Sequence, residues 1–505
     1  MRIRLAIILG LLGLATFTLA GAEHGSAVKA PHNVVLIIVD GMHNVNERQY
    51  CQYQYGTPTG ASFHDWPYQA YMTTWDTTTY DRFAWDSPWV TQRYDRECFD
   101  PRWGYDPACG GCEPSSGEAT EADSYFLTTL PRWGRVRQQG AGQPATDSAA
   151  AATAFATGYK TDTGNVNWLP GDPEGGQLKT IAEQFREQRG GSVGIGSTVM
   201  FSHATPACFA SHNVYRGRYE EIAEEILTQC GFDVIIGSGH PEFTLNSDGT
   251  PRTRYCPPEH LAAIKADENY LVVEKIAGAD NGLALRNAAA IAAENGLKLC
   301  GVFGAADKRM EPIMPRHNPG APEWDVPVDD PHASDIAVAA LEVLGHSDNG
   351  FFLMVEQGDL DWANHANDYA GGLGCMHDAD LCARAVVDWI NRPGDGVTLE
   401  NTSVIVVPDH THYIRQDKWL GIGELPEQVV IDGDRRDYEG SYRYPGGEPV
   451  YHSTSHTNEL GNVYVIGGGI GAILAGFEGD WYPGTRIVDN TQIYEAMARW
   501  LRVEQ

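Results

Sequence analysis

Short apolar runs punctuate the chain, and several of them end on chemically active residues. Asn33–Val39 (NVVLIIV) is continuously apolar, as a parallel strand buried on both faces must be, and it stops at Asp40-Gly41. Ser192–Thr198, Phe351–Val355 (FFLMV) and Ser403–Val407 (SVIVV) read the same way. Between them lie stretches with helical spacing, Gly176–Arg189, Tyr219–Cys230 and Asp378–Ile390, and Asn490–Leu501 reads as a closing helix. Strands alternating with helices predict an α/β fold: a three-layer doubly wound α/β/α sandwich with a central, mostly parallel sheet and large insertions. Residues 32–505 make up that one domain.

Two excursions are expected within it. Residues 52–142 include a stretch, 60–135, rich in Trp, Tyr, Asp and Gly. It predicts a surface subdomain with its own aromatic core, or else a roof over the site whose rings stack on substrate. Residues 232–340 predict a second, irregular excursion, because Glu311–Pro331 holds six prolines and few periodic apolar positions.

Composition narrows the class. With 42% hydrophobic residues, 13 Trp and 23 Tyr, the 505-residue chain is globular in character. Residues 1–22 (MRIRLAIILGLLGLATFTLAGA) combine Arg2 and Arg4, a short apolar stretch and an A-x-A site, which predicts a signal peptide and export to the periplasm or beyond. No later run reaches membrane-spanning length, so no membrane anchor is expected in the mature chain. Ten cysteines in an exported protein predict up to five disulfides of unassigned pairing. Cys109-x-x-Cys112 has no second C-x-x-C and reads as a stapled loop rather than a zinc knuckle. The formal charge is −31, and −33 once Arg2 and Arg4 leave with the leader, which argues against nucleic-acid binding.

The residues just past the strands are more specific. Asp40 lies beyond the first, Glu356, Asp361 and His365 beyond the third, and Asp409, His410 and His412 (PDHTH) beyond the fourth. Open α/β sheets build their sites beyond the carboxyl ends of strands. Taken singly, Asp40-Gly41 reads as a turn and each histidine as an ordinary polar side chain. Gathered at several strand ends, they point to a divalent-metal site, with oxygen and nitrogen ligands suited to zinc. A helix starting near Asp361 would project Asp361 and His365 from one face. The stretch QPATDSAAAATAFATG, residues 143–158, places Asp147 and Ser148 at the mouth of a helix of small residues. A Ser there is ordinarily a cap. The same free N–H groups also favour a phosphate, and beside zinc a serine hydroxyl can act as a nucleophile.

Together these blocks resemble the alkaline phosphatase family. The resemblance rests on Asp147-Ser148 with its small residues and Thr153-Ala154, on Asp40-Gly41-Met42, and on FFLMVEQGDLDWANH. It rests also on PDHTH, on His456-Thr457 and on SHATPACFASHNVYR, all in family order from residue 33 to about 468. It implies that Ser148 is the nucleophile of a phosphate monoesterase and passes through a phosphoserine. It implies one zinc on Asp361, His365 and His456, and a second on Asp40, Asp409 and His410 that also meets Ser148. A third ion, magnesium by the same resemblance, would take Asp40, Glu356 and Thr205. Arg216 would clamp two phosphate oxygens, with Asp147 orienting it and His412 supporting a zinc carboxylate. Small phosphate monoesters are the implied substrates, and a homodimer is a further arrangement the family suggests. Three departures stand out: His203 where some members have Asp, Trp362 where some have Lys, and Gln357 in place of the usual Gly. The rival readings are a phosphodiesterase or nucleotide pyrophosphatase on the same metal core, and a non-catalytic phosphate-binding homologue. Arg216 argues against the first, because a charged clamp favours a dianionic terminal phosphate.

Overall fold

Strand β1 (Asn33–Val39) is flanked by parallel neighbours on both edges, which is why its sequence is apolar without interruption. The computed structural model describes residues 32–86, 94–105, 145–394, 396–432 and 440–505. The predicted signal peptide lies outside them. In chain order the remaining strands are β2 (Tyr68–Thr73), β3 (Ser192–Met200), β4 (Val234–Ser238), β5 (Tyr270–Glu274), β6 (Lys298–Phe303), β7 (Met314–Arg316), β8 (Glu323–Asp325) and β9 (Phe351–Gln357). They continue with β10 (Thr402–Val407), β11 (Thr411–Gln416), β12 (Val429–Val430), β13 (Tyr442–Arg443), β14 (Pro449–Thr457), β15 (Gly461–Gly467) and β16 (Ile487–Asp489). Ten of them form one sheet in the order β16-β2-β15-β10-β1-β9-β3-β4-β6-β5. Every neighbouring pair is parallel except those of β15, which runs against both β10 and β2.

Alternation along β1 sorts its side chains between two cores. Val34, Leu36 and Ile38 join the helices 148–157, 204–210 and 490–501 on one face. Val35, Ile37 and Val39 join the helices 333–344 and 369–390 on the other. Each such buried aliphatic side chain contributes roughly 1.5–3 kcal/mol. The result is helices on both faces of a mostly parallel sheet, the predicted fold class.

The helix Ser148–Thr157 has all ten residues buried. Its alanines let it lie close between the helices Ala204–Ala210 and Asn490–Leu501, where longer side chains would not fit. Asp147 caps it by accepting from Ala150 N at 3.0 Å, and Gly158 ends it at φ +73°.

Several boundaries depart from the sequence reading. The helix expected over 176–189 starts at Ile181, because Thr180 and Glu183 form a capping box there. The one expected over 378–390 starts at Tyr369, nine residues earlier. Residues 232–340 are not an irregular excursion: they supply β4, β5 and β6 of the central sheet, the helices 258–266 and 281–295, and the first turns of the helix 333–344. The runs VIIGS, YLVVE and KLCGVF are too short to have stood out against the proline-rich segment beyond them. Within that segment, β7 and β8 pair over three residues. Residues 52–142 likewise begin inside the core, since β2 is a sheet strand. Their described aromatics Trp75, Tyr80 and Tyr105 pack with Leu460, Tyr482 and Ile487, while residues 87–93 and 106–144 lie outside the described residues.

The expectation of up to five disulfides is corrected. Cys51, Cys208, Cys230, Cys256, Cys300, Cys375 and Cys382 are free thiols, all but Cys230 fully buried. They pack as small apolar side chains, and burial pushes the Cys208 and Cys300 thiols up to about 12. Among the described residues no helix is long and apolar enough to cross a membrane.

Candidate metal and phosphate centre

The register of three central strands brings the ligands together. Ile38 of β1 pairs with Glu356 of β9 and with Val407 of β10, so Asp40, Glu356 and Asp409 emerge at one end of the sheet. The chain turns sharply after Asp40 through Gly41, at φ +72°. A Cβ on Gly41 would stand 3.0 Å from Asp361 Cα and 3.0 Å from His412 Cδ2, so glycine is what lets the strand end meet the ligands.

Asp361 and His365 sit one turn apart on the helix Asp359–Ala366, His365 Nε2 lying 3.3 Å from Asp361 Oδ1. His412 and His456 face one another across the antiparallel β11–β14 ladder. Their Nε2 atoms stand 2.7 and 3.1 Å from that same Asp361 oxygen. Asp361, His365, His412 and His456 thus converge, and Asp40, Asp361 and His410 form an adjoining group. His410 Nε2 lies 3.3 Å from Asp40 Oδ1, 3.2 Å from Asp409 Oδ2 and 3.2 Å from Ser148 Oγ. Surrounding contacts fix the rings: His456 Nδ1 is 2.8 Å from the Thr146 carbonyl, and His365 Nδ1 meets that of Thr454.

Glu356 points from β9 towards Thr205, on the short helix that comes after β3. Ser197 Oγ donates to Glu356 Oε2. Thr205 Oγ1, Glu356 Oε1, both Asp40 oxygens and Asp409 Oδ2 are buried with no hydrogen bond. Burial, reinforced by neighbouring carboxylates, raises Asp40 well above the usual carboxylate range and brings Glu356 up to about 8. Four buried carboxylates cannot be accommodated without positive charge. Carboxylate and threonine oxygens left without a hydrogen bond, beside imidazoles gathered around Asp361 and Asp40, fit divalent cations.

Beside the cluster stands the guanidinium of Arg216. Arg216 Nη1 donates to Asp147 Oδ2 at 2.8 Å, while Asp147 Oδ1 accepts from Ala150 N and Gly164 N, both at 3.0 Å. Burial opposes both charges, but the pair sustains them, holding Asp147 low and Arg216 high. Arg216 Nη2 lies 3.3 Å from His203 Nε2. Burial and the Arg216 charge depress His203 to about 3, so it is neutral and accepts from the guanidinium. Trp362 packs edge-on against the His203 ring, centroids 5.9 Å apart.

The candidate ligands, Ser148, Asp147, Arg216, His203, Trp362 and His412 therefore occupy one region. Sequence reasoning missed Ser197, the hydrogen bond from Gly164, the Thr146 carbonyl and Asn364, whose Nδ2 donates to the Gly41 carbonyl at 3.0 Å. None carries a motif. Asn364, one residue before His365, and Thr146, one residue before Asp147, had a positional signal.

The family pattern described as Alkaline phosphatase matches residues 113–419. Alkaline phosphatase 4 of Bacillus subtilis (strain 168) is 28% identical over 271 residues, 53% of this chain and 49% of that protein. The human tissue-nonspecific isozyme is 27% identical over 296 residues, 53% of this chain and 52% of its own. The chain spans about half the length of the curated relatives it matches. In fold it resembles the alkaline phosphatase of the Antarctic bacterium TAB5, with a TM-score of 0.54, 18% identity and 94% and 100% of the two chains covered. It also resembles that of Thermus thermophilus, with a TM-score of 0.56, 19% identity and 94% and 92% covered. A variant of the TAB5 protein has been solved with magnesium in its M3 site. By the extent of the family match, supported by fold and ligand arrangement, the chain belongs to the alkaline phosphatase family.

Proposed function

We propose that the protein is an exported, metal-dependent phosphate monoesterase that works through a phosphoserine on Ser148. The observation that carries this reading is the placing of Ser148 Oγ at the mouth of a buried helix, 3.2 Å from His410 Nε2 and one residue from the carboxylate that holds Arg216. The first-turn N–H groups and the helix dipole favour an anion there. Arg216, anchored by Asp147 and His203, keeps further N–H donors for two phosphate oxygens. Ser148 Oγ gives up its proton and bonds to phosphorus as the P–O bond to the alcohol breaks, the alcohol oxygen taking up a proton. Water then attacks the same phosphorus, releasing phosphate and returning the hydroxyl to Ser148. Two zinc ions, on Asp361, His365 and His456 and on Asp40, Asp409 and His410, with a magnesium on Asp40, Glu356 and Thr205, would supply Lewis acidity and neutralise charge there. His412 would then hold Asp361 in place through its 2.7 Å contact.

The test is kcat/KM for p-nitrophenyl phosphate and for its bis-ester, with zinc and magnesium present, in wild type and Ser148→Ala. The monoester is expected to be strongly preferred, and the variant to lose at least about a thousandfold. Preference for the diester would move the protein to the phosphodiesterase reading. No turnover of either ester would leave a phosphate-binding protein.

A further inference from the structure

Lys308 holds a backbone conformation that lysine seldom adopts. It lies in the loop that leaves β6, at φ +85°, a region that carries a steric penalty for any residue with a Cβ. The loop fixes it there: Lys308 N donates to the Ala305 carbonyl at 3.1 Å, and its own carbonyl accepts from Ser238 Oγ. Its ammonium stands 6.0 Å from the centre of the Trp362 ring. Trp362 meets His203 edge-on, and His203 meets Arg216. The ammonium is therefore one indole and one imidazole away from the guanidinium of the phosphate pocket. Asp307, the nearest acid in sequence, is occupied by Arg309 at 2.8 Å. Among the described residues no carboxylate pairs with Lys308. In a chain with 67 acidic and 36 basic residues, this is an unneutralised positive charge next to the site.

Lys308 is placed too far out to share the oxygens of the transferring group, because Trp362 and His203 stand between. Exposure rises in the same direction, from buried His203 to half-buried Trp362 and Lys308. A substrate alcohol too large for the buried site has to extend towards solvent, and this is a direction in which exposure rises. We propose that Lys308 binds a second anionic group on the alcohol side of the substrate, so that monoesters bearing a further carboxylate or phosphate are preferred. This rests on the phosphomonoesterase reading above.

The experiment compares kcat/KM for 4-carboxyphenyl phosphate and 4-carbamoylphenyl phosphate, which share a shape and differ in charge, using metal-loaded wild type, Lys308→Met and Lys308→Arg. Methionine keeps an unbranched stem over Trp362, and circular dichroism checks the fold. The carboxylate-to-amide ratio is expected to fall about tenfold in Lys308→Met, to persist in Lys308→Arg, and to shrink with salt in wild type. An unchanged ratio in Lys308→Met would overturn the proposal. So would an equal loss on both esters, which would make Lys308 a support for Trp362. Wild type that turns over neither ester sinks the monoesterase reading and this inference together, whereas turnover with an unaltered ratio sinks this inference alone.

Discussion

At Arg216 one side chain meets three demands at once. One nitrogen is committed to Asp147, another leans on the neutral imidazole of His203, and the remaining N–H groups are left for a ligand. Lysine, a point charge on a flexible stem, cannot satisfy a carboxylate, an imidazole and an oxygen pair together. Arg216→Lys is therefore expected to lower kcat/KM for a simple monoester by about a hundredfold and to weaken competitive inhibition by inorganic phosphate. Inhibition by phosphate unchanged in that variant would show that Arg216 does not hold the anion. Asp147 and Ser148 illustrate what a sequence discloses at this scale. Residue types at a helix mouth can be read directly, but the hydrogen bond from Gly164 to Asp147 depends on a loop closing over the helix, and no local pattern encodes that.

Between elements, a half-buried histidine does mechanical work. His212 Nδ1 lies 2.8 Å from Glu225 and its Nε2 3.4 Å from Glu183, tying the helix Ile181–Arg189 to the π-helical segment Glu225–Gln229 that continues the helix Tyr219–Glu224. Burial works against its protonation, yet the two carboxylates prevail and push it up to about 10. A raised pKa means that the folded state binds the proton more tightly than the unfolded chain does. The stabilisation is complete below the ordinary value of 6.5 and is lost as pH rises through about 10. Thermal melts of wild type should lose stability over that window, by a few kcal/mol at most, and His212→Gln should flatten the alkaline decline. Parallel pH profiles for the two proteins would refute this. The same scale shows where pattern reading works and fails. β1, β9 and β10 were legible because strands buried on both faces have no choice but to be apolar. The early turns of the helix Tyr369–Ile390 were hidden by Gly371, Gly372 and Gly374. Gly374 is required by tertiary contact, since a Cβ there would sit 1.7 Å from the Ile313 carbonyl. β5 was obscured for the opposite reason: it is an edge strand, half-buried throughout.

For the whole molecule, burial and neighbouring carboxylates push Asp40, Glu356 and Asp409 above the usual carboxylate range, whereas His365 and His456 hold Asp361 low despite its burial. Bound divalent cations would relieve the first three. Anything that binds the folded state alone stabilises it by mass action. If the proposed divalent metals occupy this centre, a chelator should lower the melting temperature by several degrees or more, and adding metal back should restore it in proportion to the logarithm of concentration. A melting temperature indifferent to chelator would mean the carboxylates are balanced in some other way.

The ligands also lie far apart along the chain. Asp40 comes from the first strand, Ser148 from a helix after a long interruption, and His456 from β14, so the centre has no local precursor. Contacts of such separation close late and slowly. An unfinished chain carries no complete set of these ligands, and the onset of the proposed phosphatase activity in a refolding experiment would be a clock for the last long-range docking step rather than for the first helices.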